Sequence, residues 1–290
     1  MEAQRDWVSI NGAVVAGADA RVSVFDSGFM QGIGLFETIR TYHGRVFRLG
    51  AHLARLTASA RQLGWTTVPV ESELADEVER LVHALPAGDY RVRLTVTTGS
   101  LHASGGEEPR LTRVVTATVV AAYPAEYYQR GITVTLARCR QNGSDPTTGH
   151  KTTSYFARLA SLREAHLRQA TETLWFTPDN ELAEGAISNV FVVAEEGLLT
   201  PPLETPVLPG ITRAAVIELA ELLQIPVVQR ALTLDDVLDA EEVFLTNARM
   251  EVMPVVRVVR DRISDERPGP ITRQLHEAYQ ALVGQECSRG

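Results

Sequence analysis

Few residues in this chain of 290 have the type and setting to do chemistry. Lys151 is the sole lysine, set against 27 arginines. A lysine amine can lose its proton through burial or a neighbouring cation and then attack a carbonyl to form a Schiff base, which a guanidinium cannot do. Arginine-biased usage leaving one lysine by chance is the plainer reading. Glu184 opens the run Glu184-Gly185-Ala186-Ile187-Ser188-Asn189. A carboxylate beside a glycine can approach a flat ligand closely, although a solvated turn glutamate has the same local sequence. Leu208-Pro209-Gly210-Ile211-Thr212-Arg213 places a glycine, free backbone N–H groups and a hydroxyl where a helix opens. That suits a phosphate, or an ordinary cap made by Thr212. Arg55, in His52-Leu53-Ala54-Arg55-Leu56, lies off the apolar face of its helix. It can reach a phosphate with two nitrogens or simply be solvated.

Each signal is weak alone. Together they supply a Schiff-base lysine, a carboxylate for a pyridine nitrogen and a phosphate cradle, the parts of a pyridoxal phosphate site.

The elements that must carry these residues are legible from periodicity. Trp7–Val15 reads as a hairpin around Asn11-Gly12. A second extended pair runs over Leu35–Thr41 and Arg45–Phe47, turning at His43-Gly44. Leu49, Leu53, Leu56, Ala60 and Leu63 share a helix face that stops at Gly64, and Ser72–Leu85 repeats the pattern before Pro86. Arg91–Thr97 alternates, with Val92, Leu94 and Val96 on one side and Arg93 on the other. Arg113–Ala121 is a further strand. Ala122–Arg130 reads as a connector. Beyond it lie strands at Gly131–Cys139, Thr173–Phe176, Phe191–Val193, Leu198–Thr200 and Glu242–Thr246. Helices are expected at Thr152–Ala170, Arg213–Leu223 and Ile271–Leu282. Lys151 then stands at the mouth of a helix, whose positive end disfavours an ammonium. The mixture is α+β, without the regular alternation of a doubly wound sheet.

Composition narrows the setting. Net charge is -8 with basic residues scattered, which argues against nucleic-acid or anionic-membrane surfaces. No apolar run reaches the ~20 residues of a membrane span. Met1–Ile10 lacks the apolar core of a secretory signal. Two cysteines, Cys139 and Cys287, fit a reducing cytoplasm. Asn142-Gly143-Ser144 matches a glycosylation acceptor, and without a secretory signal it is read as incidental. No metal site is expected.

The chain resembles the class IV aminotransferases, the fold-type IV pyridoxal phosphate enzymes. The likeness runs from about Asn11 to Val255 and is densest in FDSGFMQGIGLFETIR (25–40), HLARL (52–56), HKTTSYFARLASLREA (150–165), ELAEGAISNVF (181–191), TPPLETPVLPGITR (200–213) and EEVFLTNARMEVMPV (241–255). It implies a smaller N-terminal α/β domain (1–120), a connector (121–130) and a larger cofactor-binding domain (131–290), with pyridoxal 5'-phosphate between the domains. It implies that Lys151 holds the cofactor through a Schiff base and that Glu184 contacts the pyridine nitrogen. Arg55, Ile211 and Thr212 bind the phosphate, with Ser188, Asn189, Gly210, Asn247 and Ala248 completing the cofactor's surroundings. Phe36, Thr38, Arg40, Arg93 and Tyr155 line the substrate pocket, either arginine being placed to take a carboxylate. The resemblance also implies a homodimer in which one subunit's small domain helps close its neighbour's site, and small-molecule amino and 2-oxo acid substrates.

Within the family the motifs divide. Branched-chain enzymes carry a Gly-Thr-Ala run whose threonine helps bind phosphate; here Thr246-Asn247-Ala248-Arg249 offers no hydroxyl at 248. The Arg-x-His pair of D-amino acid enzymes is missing from Thr98–Gly105, so a D-specific enzyme would need Arg40 or Arg93 as its anchor. Phe36–Arg40 and the Lys151-to-Tyr155 spacing lean toward aminodeoxychorismate lyase, which releases pyruvate and 4-aminobenzoate. The expectation is a ping-pong transaminase of relaxed or D-leaning specificity. The lyase is the alternative, and a branched-chain L-enzyme or an inert cofactor-binding protein stands further off.

Overall fold

The computed structural model describes residues 7–100 and 110–288. The chain divides into two compact units. The first takes residues up to Ala121, then His150–Ser154, and again from Val283; the second takes Ala122–Gly149 and Tyr155–Leu282.

In the first unit the described elements are β1 (Trp7–Ile10), β2 (Ala13–Ala16), α1 (Ser27–Gln31), β3 (Gly34–Tyr42), β4 (Arg45–Val46), α2 (Leu49–Gln62), α3 (Glu71–Ala84), β5 (Tyr90–Thr97) and β6 (Thr112–Val119). The strands form one antiparallel sheet in the order β2-β1-β6-β5-β3-β4. Asn11 and Gly12 both adopt positive φ, 48° and 86°, as a tight hairpin turn requires. The sheet is two-faced because its strands alternate. Leu35, Ile39, Val92, Leu94 and Val96 are buried with Leu53, Leu56, Leu74, Val78 and Leu81 of α2 and α3. Full burial of side chains of this size contributes roughly 1.5–3 kcal/mol each. Phe36, Thr38 and Arg40 leave β3 on the opposite side, beside Thr95, Arg93 and Arg91 of β5.

The second unit contains α4 (Ala125–Arg130), β7 (Ile132–Arg140), α5 (Phe156–Leu167), β8 (Glu172–Phe176), β9 (Leu182–Gly185), β10 (Asn189–Ala194), β11 (Gly197–Thr200), α6 (Ile211–Leu222), β12 (Val227–Gln229), α7 (Leu234–Leu238), β13 (Glu242–Asn247), β14 (Glu251–Val258) and β15 (Asp261–Arg262). Helix α8 (Pro270–Glu286) follows. Its sheet is mixed, ordered β12-β11-β10-β13-β14-β7-β8-β9, with β15 on β14. Strands β14, β7 and β8 run parallel.

Three differences from the sequence reading appear here. The segment read as a connector carries α4, and Tyr123, Tyr127 and Tyr128 pack on the second unit's core. The helix expected from Thr152 starts only at Phe156. Thr152 and Thr153 are β-branched and favour extended backbone; Thr152 bridges Leu35 of β3 instead. Strand β14 had no counterpart in the sequence reading. Its Val252–Val256 are buried throughout, an apolar run without alternation. Residues 101–105 of the Thr98–Gly105 stretch lie outside the described ones.

Candidate active site

Lys151 belongs to the first unit. It does not stand at a helix start. Its carbonyl accepts the Phe36 N–H at 2.9 Å, and the Thr153 N–H donates to the Gly34 carbonyl at 2.8 Å. The segment is thereby stitched to β3, and the helix-end argument for this amine falls away. Lys151 Nζ lies 4.7 Å from the centroid of the buried Phe36 ring, and the Arg93 guanidinium carbon lies 3.7 Å from the same centroid. Arg93 Nε also donates to Thr95 Oγ1 at 3.2 Å. Register pairs Arg93 with Thr38 and Thr95 with Phe36. The structure thus brings Lys151, Phe36, Thr38 and Arg93 together on one face of β3 and β5. Arg40 continues that face and stacks on Tyr42, 4.3 Å from the ring centroid.

The other face of β3 holds a residue missed in the sequence. Glu37 is 1% exposed, between Leu35 and Ile39. Arg55 grips both its oxygens, Nε to Oε1 at 2.8 Å and Nη2 to Oε2, while His52 Nδ1 lies 2.7 Å from Oε2. Arg55 is therefore not a solvated helix arginine. Burial raises the Glu37 pKa, but the Arg55 charge and the His52 contacts prevail and hold it down to about 2. Burial pushes the His52 imidazole below its ordinary range, against the pull of Glu37. An acidic residue at a core-facing strand position was the available signal, since a buried carboxylate requires partners.

In the second unit Glu184 is no turn residue. It sits inside β9 opposite Trp175 and is 3% exposed. Arg158 Nη2 donates to its Oε1 at 2.6 Å, Gln141 Nε2 to the same oxygen at 3.1 Å, and the Leu208 N–H to Oε2 at 3.0 Å. The turn after it is built around buried Glu172. That carboxylate accepts from the N–H groups of Thr173 (2.9 Å), Ala186 (3.1 Å) and Ile187 (3.1 Å), and from the Ser188 hydroxyl (2.9 Å). Burial holds its pKa above the usual carboxylate range despite these donors. Gly185 is required by close approach: a Cβ there would lie 2.1 Å from Ser188 Oγ. Arg158, Gln141 and Glu172 escaped the sequence reading because their contacts join segments far apart in the chain.

Helix α6 starts at Ile211, two residues before the start expected at Arg213. Gly210 is the N-cap and supplies no side-chain cap. Thr212 lies inside the first turn, 4% exposed, so it is not the cap. A Cβ on Gly210 would lie 1.9 Å from Asn189 Oδ1. The Asn189 amide donates to the Leu208 carbonyl at 2.8 Å and fixes the entry to the helix. Thr246, the register partner of Asn189, is 1% exposed with a hydroxyl lacking a hydrogen-bond partner. Asn247 ties the β13–β14 turn, donating to the Ile187 carbonyl at 3.0 Å and accepting the N–H groups of Arg249 and Met250, both at 2.8 Å; Ala248 lies within that turn. The Tyr155 hydroxyl donates to the Ala186 carbonyl at 3.2 Å. Among the described residues no acidic, histidine or cysteine cluster suits a metal, and no helix is long and apolar enough to cross a membrane.

The family described as Amino-transferase class IV matches residues 34–258. The chain belongs to that family and is a pyridoxal phosphate-dependent aminotransferase by class. It is 33% identical over 279 residues to a putative branched-chain-amino-acid aminotransferase of Methanocaldococcus jannaschii, covering 95% of this chain and 96% of that one. It is 31% identical over 284 residues to a D-alanine aminotransferase of Bacillus licheniformis, covering 97% and 99%. Among solved structures it resembles the branched-chain amino acid aminotransferase of Escherichia coli. The TM-score is 0.89 and the identity 28%, over 97% of this chain and 95% of that one. These relatives carry the transaminase reading and lend nothing to the lyase.

Each unit, taken by itself, offers groups of a kind that fits the cofactor. The first unit offers the chain's one lysine amine against an aromatic ring. The second offers a buried carboxylate with acceptor capacity to spare and a helix start without a side-chain cap. An unpartnered buried hydroxyl, Thr246, adds a polar group beside Asn189.

Proposed function

We propose that the enzyme moves an amino group from an amino acid to a 2-oxo acid, with D-leaning or broad specificity. Lys151 Nζ would hold the cofactor through its aldehyde carbon and would take and return the substrate's α-proton. Pyridoxal phosphate, when bound, supplies a ring that delocalises the charge left at the substrate's α-carbon. Glu184 would accept the ring nitrogen's N–H and keep it protonated. The Ile211 and Thr212 N–H groups at the positive end of α6 would receive the phosphate, and Arg55 would add its charge. Arg93 takes the substrate carboxylate over Phe36, with Thr38, Arg40 and Tyr155 bounding the side chain.

The observation that carries this reading is the chain's one lysine held over Phe36 beside Arg93. The D-leaning part is supported by the D-alanine aminotransferase relatives and by Ala248, which lacks the hydroxyl of the branched-chain motif. We extend the proposal to a cytoplasmic homodimer. Val22, Val24, Phe25, Phe29, Met30 and Ile33, each between 39% and 72% exposed, give an apolar stretch that a second copy would cover.

Lys151→Ala is the test. Turnover and the yellow absorbance of the lysine-bound cofactor should both vanish, and full activity in the variant would refute the assignment. D-alanine and L-leucine, each offered with 2-oxoglutarate, then separate D-leaning from branched-chain use. Release of 4-aminobenzoate from aminodeoxychorismate without an oxo-acid acceptor would instead point to the lyase.

A further inference from the structure

Arg158, seven residues beyond Lys151 in sequence, has no part in the scheme above, yet its guanidinium organises the surroundings of Glu184. Nη2 donates to Glu184 Oε1 at 2.6 Å and to Gln141 Oε1 at 3.0 Å. Nη1 donates to the Gly185 and Ala186 carbonyls, both at 3.2 Å. The guanidinium carbon lies 5.3 Å from the Trp175 ring centroid and 5.9 Å from that of Tyr155. Burial works against this charge, but Glu184 and the neighbouring oxygens outweigh it and hold the Arg158 pKa above its ordinary value. One planar group thus binds the carboxylate and the backbone of the turn that follows it, a fork no other side chain reproduces.

The acceptor arithmetic at Glu184 points the same way. A carboxylate offers about four acceptor positions. Arg158 and Gln141 occupy both on Oε1, and the Leu208 N–H takes one on Oε2. Among the described residues one position is left, on Oε2.

We propose that Arg158 is a positioning residue. By saturating Oε1 and gripping the Gly185 and Ala186 carbonyls, it fixes the Glu184 carboxylate so that the last Oε2 lone pair receives a ring N–H. This rests on the reading that Glu184 contacts the cofactor's ring nitrogen. Gln141 and the Leu208 N–H alone would leave the carboxylate without its opposing charge and free to turn.

The experiment uses the full-length protein loaded with pyridoxal phosphate whose ring nitrogen carries the heavy isotope. The nitrogen resonance reports whether the ring is protonated. In the parent enzyme it should be protonated. In Arg158→Gln the protonated signal should be lost, the apo-protein's affinity for pyridoxal phosphate should fall about tenfold, as for outer partners of other tightly held groups, and kcat should drop with KM little changed. Arg158→Lys, which keeps the charge and loses the fork, should restore part of the signal. If Arg158→Gln melts earlier but keeps the parent's resonance and affinity, the residue is merely structural and the inference is overturned. Should that variant not fold, Arg158→Lys decides alone: a signal and affinity identical to the parent's overturn the inference. Glu184→Gln separates the two readings. If it too retains a protonated ring, the assignment of Glu184 fails and this inference fails with it. If only Glu184→Gln loses the proton, Arg158 alone is misassigned.

Discussion

Two buried carboxylates, each paired with an arginine, have different architectures. Glu37 in the first unit meets Arg55 through both oxygens and His52 through one, so it is closed by its own side-chain partners. Glu184 in the second unit meets Arg158 through Oε1 only, and Oε2 takes a single backbone N–H. Glu37 faces the side of β3 lined by Leu35 and Ile39, where its ion pair joins the strand to α2. Glu184 stands in β9, where its pair also secures a turn. Full satisfaction makes a brace, and incomplete satisfaction leaves a place for a ligand. Glu172 marks a third arrangement: among the described residues it is held by three N–H groups and one hydroxyl and by no ion pair.

The contrast predicts where each substitution acts. Glu37→Gln should have the largest effect on stability, about 3–5 kcal/mol, because it removes the carboxylate that a buried guanidinium grips through two nitrogens; chemical denaturation measures it. A variant as stable as the parent would erase the distinction. Glu184→Gln should instead lower kcat by roughly 10²–10³, the scale of a lost preorganised electrostatic contact. Its melting temperature should move less than that of Glu37→Gln, since Arg158 keeps Gln141 and two carbonyls. The two variants run side by side would invert the comparison if their effects were exchanged.

Acid sharpens it further. The Glu37 pKa in the fold is about 2 against an ordinary 4.5. Its contribution to stability is therefore complete above pH 4.5 and lost as pH falls toward 2. Melting temperature recorded across that window should fall less steeply in Glu37→Gln than in the parent. Glu172→Gln should cost about 1–3 kcal/mol, because a carboxamide supplies one acceptor oxygen for four donors. The smallest effect is expected at the surface. Arg230→Ala, which breaks the pairs to Glu196 and Asp236, should cost under about 1 kcal/mol.

Much of this is legible in the amino-acid sequence. The alternation of Arg91–Thr97 assigned Arg93 to the face away from the core, and the apolar stripes of α2 and α3 appeared at their observed faces. Local chemistry was readable because each of those signals is periodic within one element. Strand β14 was hidden by the opposite circumstance. It lies between β13 and β7, is buried on both sides, and carries Pro254 opposite Phe244, a residue that argues against an interior strand. The grip of Arg158 on Glu184 spans 26 positions, and that of Arg55 on Glu37 spans 18. No periodicity reports such a pair. An acidic side chain between Leu35 and Ile39 was a usable hint that a counter-charge had to exist.

The stitching of Lys151 to β3 has a consequence for change over time. Lys151 takes its height and direction from ladder bonds to Gly34 and Phe36, whereas the stretch leading up to it, 142–147, is exposed and folded mainly on itself. Residues can be gained, lost or exchanged in that stretch while the lysine stays in register. The approach to Lys151 is thus open to variation that leaves its anchorage untouched.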